Sequence, residues 1–214
     1  MPVLTDIQLI IPGPPDAMRG QFNRETRCVA ALIERLLPKI TTADSWKVLF
    51  KCVSAVRKDQ YLVSGGVCEL EVRSDVEQFF TLSDPHKKEW TLQAIEDGMG
   101  KLLPQTGWPQ EPFQQAIERA KALGLLNEYV WRKPLHAPAR KMTAEILVQH
   151  DVQTCDISML IRDRSGQILR RELLISEMPS EFSFYWHLGA LKWQSATRVA
   201  LTNRDGDRSW VVDL

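Results

Sequence analysis

Apolar residues recur at helical spacing in three stretches of the chain. Between Asn23 and Leu37 the positions Val29, Leu32, Ile33 and Leu36 share one helical face, with Asn23 placed to cap the start and Pro38 to end it. After Leu82, either Ser83 or Asp84 can cap a second helix, and Pro85 falls in its first turn, where a missing N–H costs nothing. Leu92, Ile95, Met99 and Leu102 form its buried stripe, and Pro104 is expected to end it. A third helix is expected from about Pro112 to Leu123, with Phe113, Ala116, Ile117 and Ala120 on one side and Gly124 as a C-terminal stop. Between the first two helices the period changes to two. Trp46, Val48, Phe50 and Cys52 alternate with Lys47 and Lys51, and Cys68, Leu70 and Val72 alternate with Glu69, Glu71 and Arg73. Each run predicts a strand with one wet face, and the two are expected to lie antiparallel.

Residues 132–140 are polar and contain prolines, which predicts a linker between parts spanning 1–131 and 141–214, unless the two form one continuous domain. Beyond it the period of two dominates. Ala144, Ile146 and Val148 alternate, as do Cys155, Ile157, Met159 and Ile161. "DRSGQ" predicts a turn into a strand from Ile168 to Ile175, and "FSFYW" predicts a short aromatic strand. The last pair, Arg198–Thr202 and Ser209–Val212, is joined by "NRDGD". Asp205-Gly206 signals a tight hairpin there, since glycine accepts positive φ and aspartate tolerates it. A calcium loop would need more oxygen ligands and a distal bidentate glutamate. The expected class is α+β: N-terminal helices with an antiparallel hairpin, then a C-terminal antiparallel meander.

Composition adds limits. At 214 residues with 44% hydrophobic and 25% charged side chains, the chain can bury a core without disulfides or metals. Its 27 basic and 27 acidic groups are evenly spread along the chain, which counts against nucleic acid as a partner. No apolar run approaches the ~20 residues a membrane span requires, and the N-terminus lacks the basic lead of a signal peptide. The expected setting is therefore cytoplasmic, with no membrane partner. Cys28, Cys52, Cys68 and Cys155 lack zinc or redox spacing, and their neighbours mark them as buried reduced thiols.

The search for chemistry yields little that is specific. His86, His136, His150 and His187 fit no zinc motif, and there is no GxSxG elbow, GxGxxG loop or P-loop lysine. Ser64–Gly66 precedes a strand instead of a helix and reads as a turn. Glu69 and Glu71 share a wet strand face, about 7 Å apart by strand rise, a spacing that could serve acid–base chemistry. Arg170 and Arg171 point to opposite faces of one strand and form no clamp. Phe182, Phe184, Tyr185, Trp186 and Trp193 crowd into twelve residues; alternation puts Phe182, Phe184 and Trp186 on one face and Tyr185 and His187 on the other, so the run either packs centrally in a core, the favoured reading, or is partly exposed to anchor a partner. No residue is assigned as catalytic, cofactor-binding or metal-ligating, and no cofactor is expected.

"VEQFFTLSDPHKKEWTLQAIEDGMGKLLPQTGW", with "RDRSGQILRRELL" and the final "NRDGDRSWVV", resembles the immunity proteins of bacterial polymorphic toxin systems of the Rhs and contact-dependent types. The resemblance covers residues 40–214 and is one of pattern and size, with no catalytic motif to carry over. It implies a protein that binds a cognate protein toxin and blocks its active site or substrate surface without catalysis. The balanced charge favours a non-nuclease toxin, such as an ADP-ribosyltransferase or deaminase, because inhibitors of basic nucleases work through opposite fields. Tyr185, Trp186, Arg170 and Trp193 are the candidate contacts. One alternative is a small hydrolase or transferase assembled from Glu69, Glu71 and His150; another is a secretion-system adaptor.

Overall fold

A computed structural model describes residues 1–13, 15–138 and 141–214. The chain divides into two units, Met1–Asn127 and Glu128–Leu214.

The first unit begins with β1 (Val3–Leu4) and β2 (Asp6–Ile10), followed by α1 (Asp16–Leu36), β3 (Ile40–Thr41), β4 (Lys47–Val53), β5 (Leu62–Ser64) and β6 (Val67–Arg73). Three helices follow: α2 (Val76–Thr81), α3 (Asp84–Thr106) and α4 (Gln110–Ala122). β1 pairs with β3, and the main sheet runs β2-β4-β6-β5. In that sheet β2, β4 and β6 are parallel, and only β5 is antiparallel to its neighbour β6. β4 and β6, expected to be antiparallel, are parallel neighbours, and the antiparallel hairpin of this unit is formed instead by β5 and β6. After β4 the chain descends along the far edge as β5, and β6 then inserts between them. β2, α1 and β4 form the crossover that parallel pairing requires.

One face of this sheet is buried: Ile7 and Leu9, Val48, Phe50 and Cys52, Cys68, Leu70 and Val72. α1 packs on β2 and α3 on β6 and β4, while α1 also touches α3 and α4. The close fit depends on Gly98 of α3, where a Cβ would stand 2.4 Å from the Phe50 ring. Charge fastens α1 at two points. Arg27 grips Glu34 with two bonds of 2.8 and 2.7 Å and donates to the Ile7 carbonyl, and Glu34 accepts the Ile7 N–H. Lys87 of α3 meets Glu25 of α1 at 2.8 Å, with side chains only 7% and 6% exposed.

Helix boundaries differ from the expected ones for local reasons. α1 starts at Asp16, a full two turns before Asn23, because Pro15 can flank a helix start and Asp16 suits its first turn. Pro104 lies inside α3, and left-handed Gly107 ends the helix instead. Trp46, expected on the buried face, precedes β4 and is exposed over Gly66.

The second unit opens with β7 (Asn127–His136), whose first residue belongs to the preceding unit, and continues with β8 (Met142–His150), β9 (Cys155–Asp163) and β10 (Ile168–Glu177). These form an antiparallel meander in the order β10-β9-β8-β7. Residues 132–136, expected as linker, are thus strand; Pro134 is tolerated because β7 is an edge. Ala139 and Arg140 of the expected linker lie outside the described residues. α5 (Glu181–Phe184) and a 3-10 turn (Tyr185–His187) lead into β11 (Ala190–Trp193), β12 (Arg198–Thr202) and β13 (Ser209–Asp213), a second meander. The two sheets share a core that includes Ile146, Val148, Ile157, Met159, Val199 and Leu201. The α+β class holds, with the helices concentrated before Asn127 and two antiparallel sheets after it.

Candidate functional site

The aromatic run is not a strand. Ser180 starts a short helix, and the chain coils through Glu181–His187. Coiling replaces the expected alternation of Phe182, Phe184 and Trp186. Phe184 enters the core at 1% exposure, while Phe182 stands 98% exposed and Tyr185 38%. Trp186 is half-buried and is held by the last hairpin: its indole N–H donates to Asp205 at 2.6 Å, and its carbonyl accepts the Arg204 N–H at 2.9 Å. The Arg208 guanidinium lies 5.4 Å from the Trp186 ring and that of Arg204 5.9 Å from Tyr185. Gly206 has φ of 79°, so "NRDGD" is a hairpin turn that also supports Trp186.

His187 sits between two indoles, its centroid 5.1 Å from Trp186 and 5.3 Å from Trp210. Nε2 faces Glu177 at 3.3 Å, and the buried Nδ1 has no hydrogen-bond partner among the described residues. The Met178 N–H, and then His187, hold the Glu177 carboxyl below its ordinary range. Tyr129 bonds Tyr185, and burial first, then that neighbour, pushes the Tyr129 phenol upward.

The four candidate contacts do not form one patch. Trp193 belongs to the core, 8% exposed, with its indole N–H donating to the Leu135 carbonyl at 3.0 Å. Arg170 is exposed on β10, where it pairs with Glu172 at 2.8 Å and donates to the Asp213 carbonyl. Tyr185 and Trp186 remain together at the hairpin end. Arg170 and Arg171 point to opposite faces, as strand geometry requires, and Arg171 bonds Gln149.

A different surface stands out on the same unit. Among the described residues β10 is an edge strand, paired with β9 alone. Leu169 and Leu173 on it are 52% and 57% exposed, and just beyond its end Met178 is 52% exposed. Phe182 follows at 98%. Phe182 lies in the aromatic run noted from the sequence, but alternation does not single out Leu169, Leu173 and Met178, because it does not tell whether a strand lies at the edge of its sheet. The available signal was the mixture of Leu169, Arg170, Arg171 and Glu172, which is too charged for a central strand.

The groups considered for catalysis are occupied structurally. Glu69 pairs with Lys51 on the sheet surface, and Glu71 accepts the N–H groups of Arg57 and Lys58 at 2.6 and 3.1 Å. His150 lies in the second unit, 3% exposed, with Nε2 3.3 Å from the Pro179 carbonyl. His86 bonds Ser83 at 2.7 Å at the exposed start of α3. All four cysteines are buried and none forms a disulfide; burial pushes the Cys52 and Cys155 thiols up to about 12 and Cys68 to about 11. No group of three metal-ligating side chains occurs among the described residues, and no helix among them is long and apolar enough to cross a membrane. Compared with family models, with curated proteins and with solved structures, the chain matches none at a significant level.

Proposed function

We propose that this chain acts by binding a protein partner, and that the partner is a cognate bacterial toxin whose active site or substrate surface it covers. The carrying observation is the set of exposed apolar residues Leu169, Leu173, Met178 and Phe182, carried by an edge strand and the segment that follows it. A phenylalanine almost wholly in water gains about 1.5–3 kcal/mol from full burial, which a partner surface can supply. The open edge offers unpaired backbone groups for strand addition, and the side chains of alternate residues supply specificity. Arg170, Arg171 and Glu172 lie between Leu169 and Leu173 and disfavour indiscriminate edge-to-edge association. The toxin as occupant comes from the sequence resemblance, and the balanced charge points to a non-nuclease enzyme such as an ADP-ribosyltransferase or deaminase.

Co-expression tests this reading. The product of the gene immediately upstream is induced in cells with and without this chain. Growth rescued by the wild-type chain, and lost with Phe182→Ser plus Leu173→Lys, supports the proposal. An upstream product that is harmless alone, or rescue undiminished by those substitutions, contradicts it. A binding curve at low and high salt then tests the toxin class, since affinity collapsing with salt would point to a nuclease.

A further inference from the structure

The segment that carries Phe182 is fastened to its surroundings at several points. Within it, the N–H groups of Ser183 and Phe184 donate to the Ser180 carbonyl at 2.9 and 3.0 Å and close a single helical turn. Pro179, Phe184, His187 and Leu188 are buried. His150, at the end of β8, comes within 3.3 Å of the Pro179 carbonyl, and its ring meets that of Phe184 at 5.2 Å. β10 supplies Glu177, 3.3 Å from His187. The last hairpin supplies the Asp205 carboxylate for the Trp186 indole N–H and the Arg204 N–H for the Trp186 carbonyl. Gly189 then runs so close to that hairpin that a Cβ there would stand 2.2 Å from the Asn203 carbonyl oxygen.

Against this fixed backbone Phe182 stands almost wholly exposed, between the half-buried polar residues Glu181 and Ser183. A flat apolar face is built from several neighbouring side chains. One ring raised between polar neighbours leaves both of its faces in water, and only a concavity covers both at once. Fixing the backbone beforehand removes the ordering cost that a mobile loop meets on association, and phenylalanine has just two side-chain torsions left to settle.

We propose that Phe182 is a preformed plug that enters a closed apolar pocket of the protein partner, with Glu177 and Asp205 as positioning residues that hold its segment. The inference rests on the functional reading above and specifies how the partner is engaged. Around the segment Glu177, Glu181, Asp205 and Asp207 outnumber Arg204 and Arg208, which disfavours an anionic lipid surface as the occupant.

Two measurements test it. Chymotrypsin cuts after exposed aromatic residues but must draw the backbone out straight, so cleavage after Phe182, mapped by mass, reports how often the turn opens. The wild-type chain alone is expected to resist. Asp205→Ala and Glu177→Ala should each be cut there at least about tenfold faster at an unchanged melting temperature. Asp205→Asn keeps an oxygen acceptor for the indole and should restore resistance. Wild-type cleavage as fast as that of the alanine variants overturns the preformed segment, and faster cleavage only where the whole unit melts lower overturns the positioning role. Calorimetric titration with the upstream gene product then tests the pocket. Phe182→Trp is expected to bind at least about tenfold more weakly than the wild type, because a closed pocket rejects the larger ring. Phe182→Trp binding as tightly as the wild type overturns the pocket and leaves the functional reading standing. Binding to phosphatidylglycerol vesicles that is lost in Phe182→Ser overturns the pocket in favour of a lipid surface. A wild-type chain that does not bind the upstream product sinks the functional reading and the plug with it.

Discussion

In the first unit, Lys87 and Glu25 meet at 2.8 Å with both side chains almost fully withdrawn from water. In the second, Phe182 stands 98% exposed next to an unpaired strand edge. The first unit holds an ion pair with both partners buried, and the second carries the most exposed aromatic ring. Buried charge adds little net stability, but once formed it fixes which helices meet and in what register. Displayed apolar surface contributes nothing to the isolated fold and is favourable only when something covers it. The contrast sets helices fastened to one another by a buried ion pair beside an open sheet edge, the edge that the proposed partner would cover.

The largest expected effect breaks the scaffold side of this contrast. Glu25→Ala leaves the Lys87 ammonium buried without its partner and should destabilise the first unit by about 3–5 kcal/mol in denaturant unfolding. Glu25→Leu with Lys87→Met removes both charges together and should recover most of that loss. Equal damage from the single and double variants would show that the pair does not act as a unit.

On the recognition side, Phe182→Ser should weaken partner binding by about 2 kcal/mol or more, some 30-fold, if the ring is an interface anchor. Its effect on unfolding should stay within about 0.5 kcal/mol, because the side chain touches little in the isolated chain. Substituting Phe184, which is 1% exposed, should reverse that pattern, costing stability first. A smaller effect is expected at Gly98, where an alanine Cβ would collide with Phe50 and overpacking costs about 1–3 kcal/mol.

Acid provides a finer comparison. Glu177 is depressed below its ordinary value of 4.5 by the Met178 N–H and by His187. Its stabilisation is therefore present above that ordinary value and lost as pH falls through the lower folded value. Glu177→Gln should flatten this part of the acid limb of unfolding for the second unit, and an unchanged limb would count against the Glu177–His187 contact. Smallest of all, Lys121→Ala removes an exposed pair with Glu96 and should change stability by less than about 0.5 kcal/mol.

The sequence reveals the local half of this fold. "NRDGD" and "DRSGQ" are hairpins because a glycine takes positive φ in each, at Gly206 and Gly166. The buried faces of β4, β6, β8 and β9 follow from alternation. Pairing was less legible. β2 alternates over its first four residues, Asp6, Ile7, Gln8 and Leu9, which marks a short strand, but nothing within it marks β4 as its parallel partner. That pairing depends on the crossover through α1, which no window of ten residues contains. The aromatic run failed for the converse reason: over five residues a strand period and a helical turn place similar residues on a face. The candidate contacts inherit this ambiguity. Trp193 went to the core and Phe182 to the solvent, and nothing in residue type distinguishes the two.

Hydrogen–deuterium exchange on the chain alone and with the upstream gene product tests the central claim most directly. Amides of β10 and residues 178–182 are expected to gain protection in the complex, while those of α1 and α3 stay unchanged. Protection confined to the first unit, with the β10 edge exchanging as it does in the free chain, would contradict it.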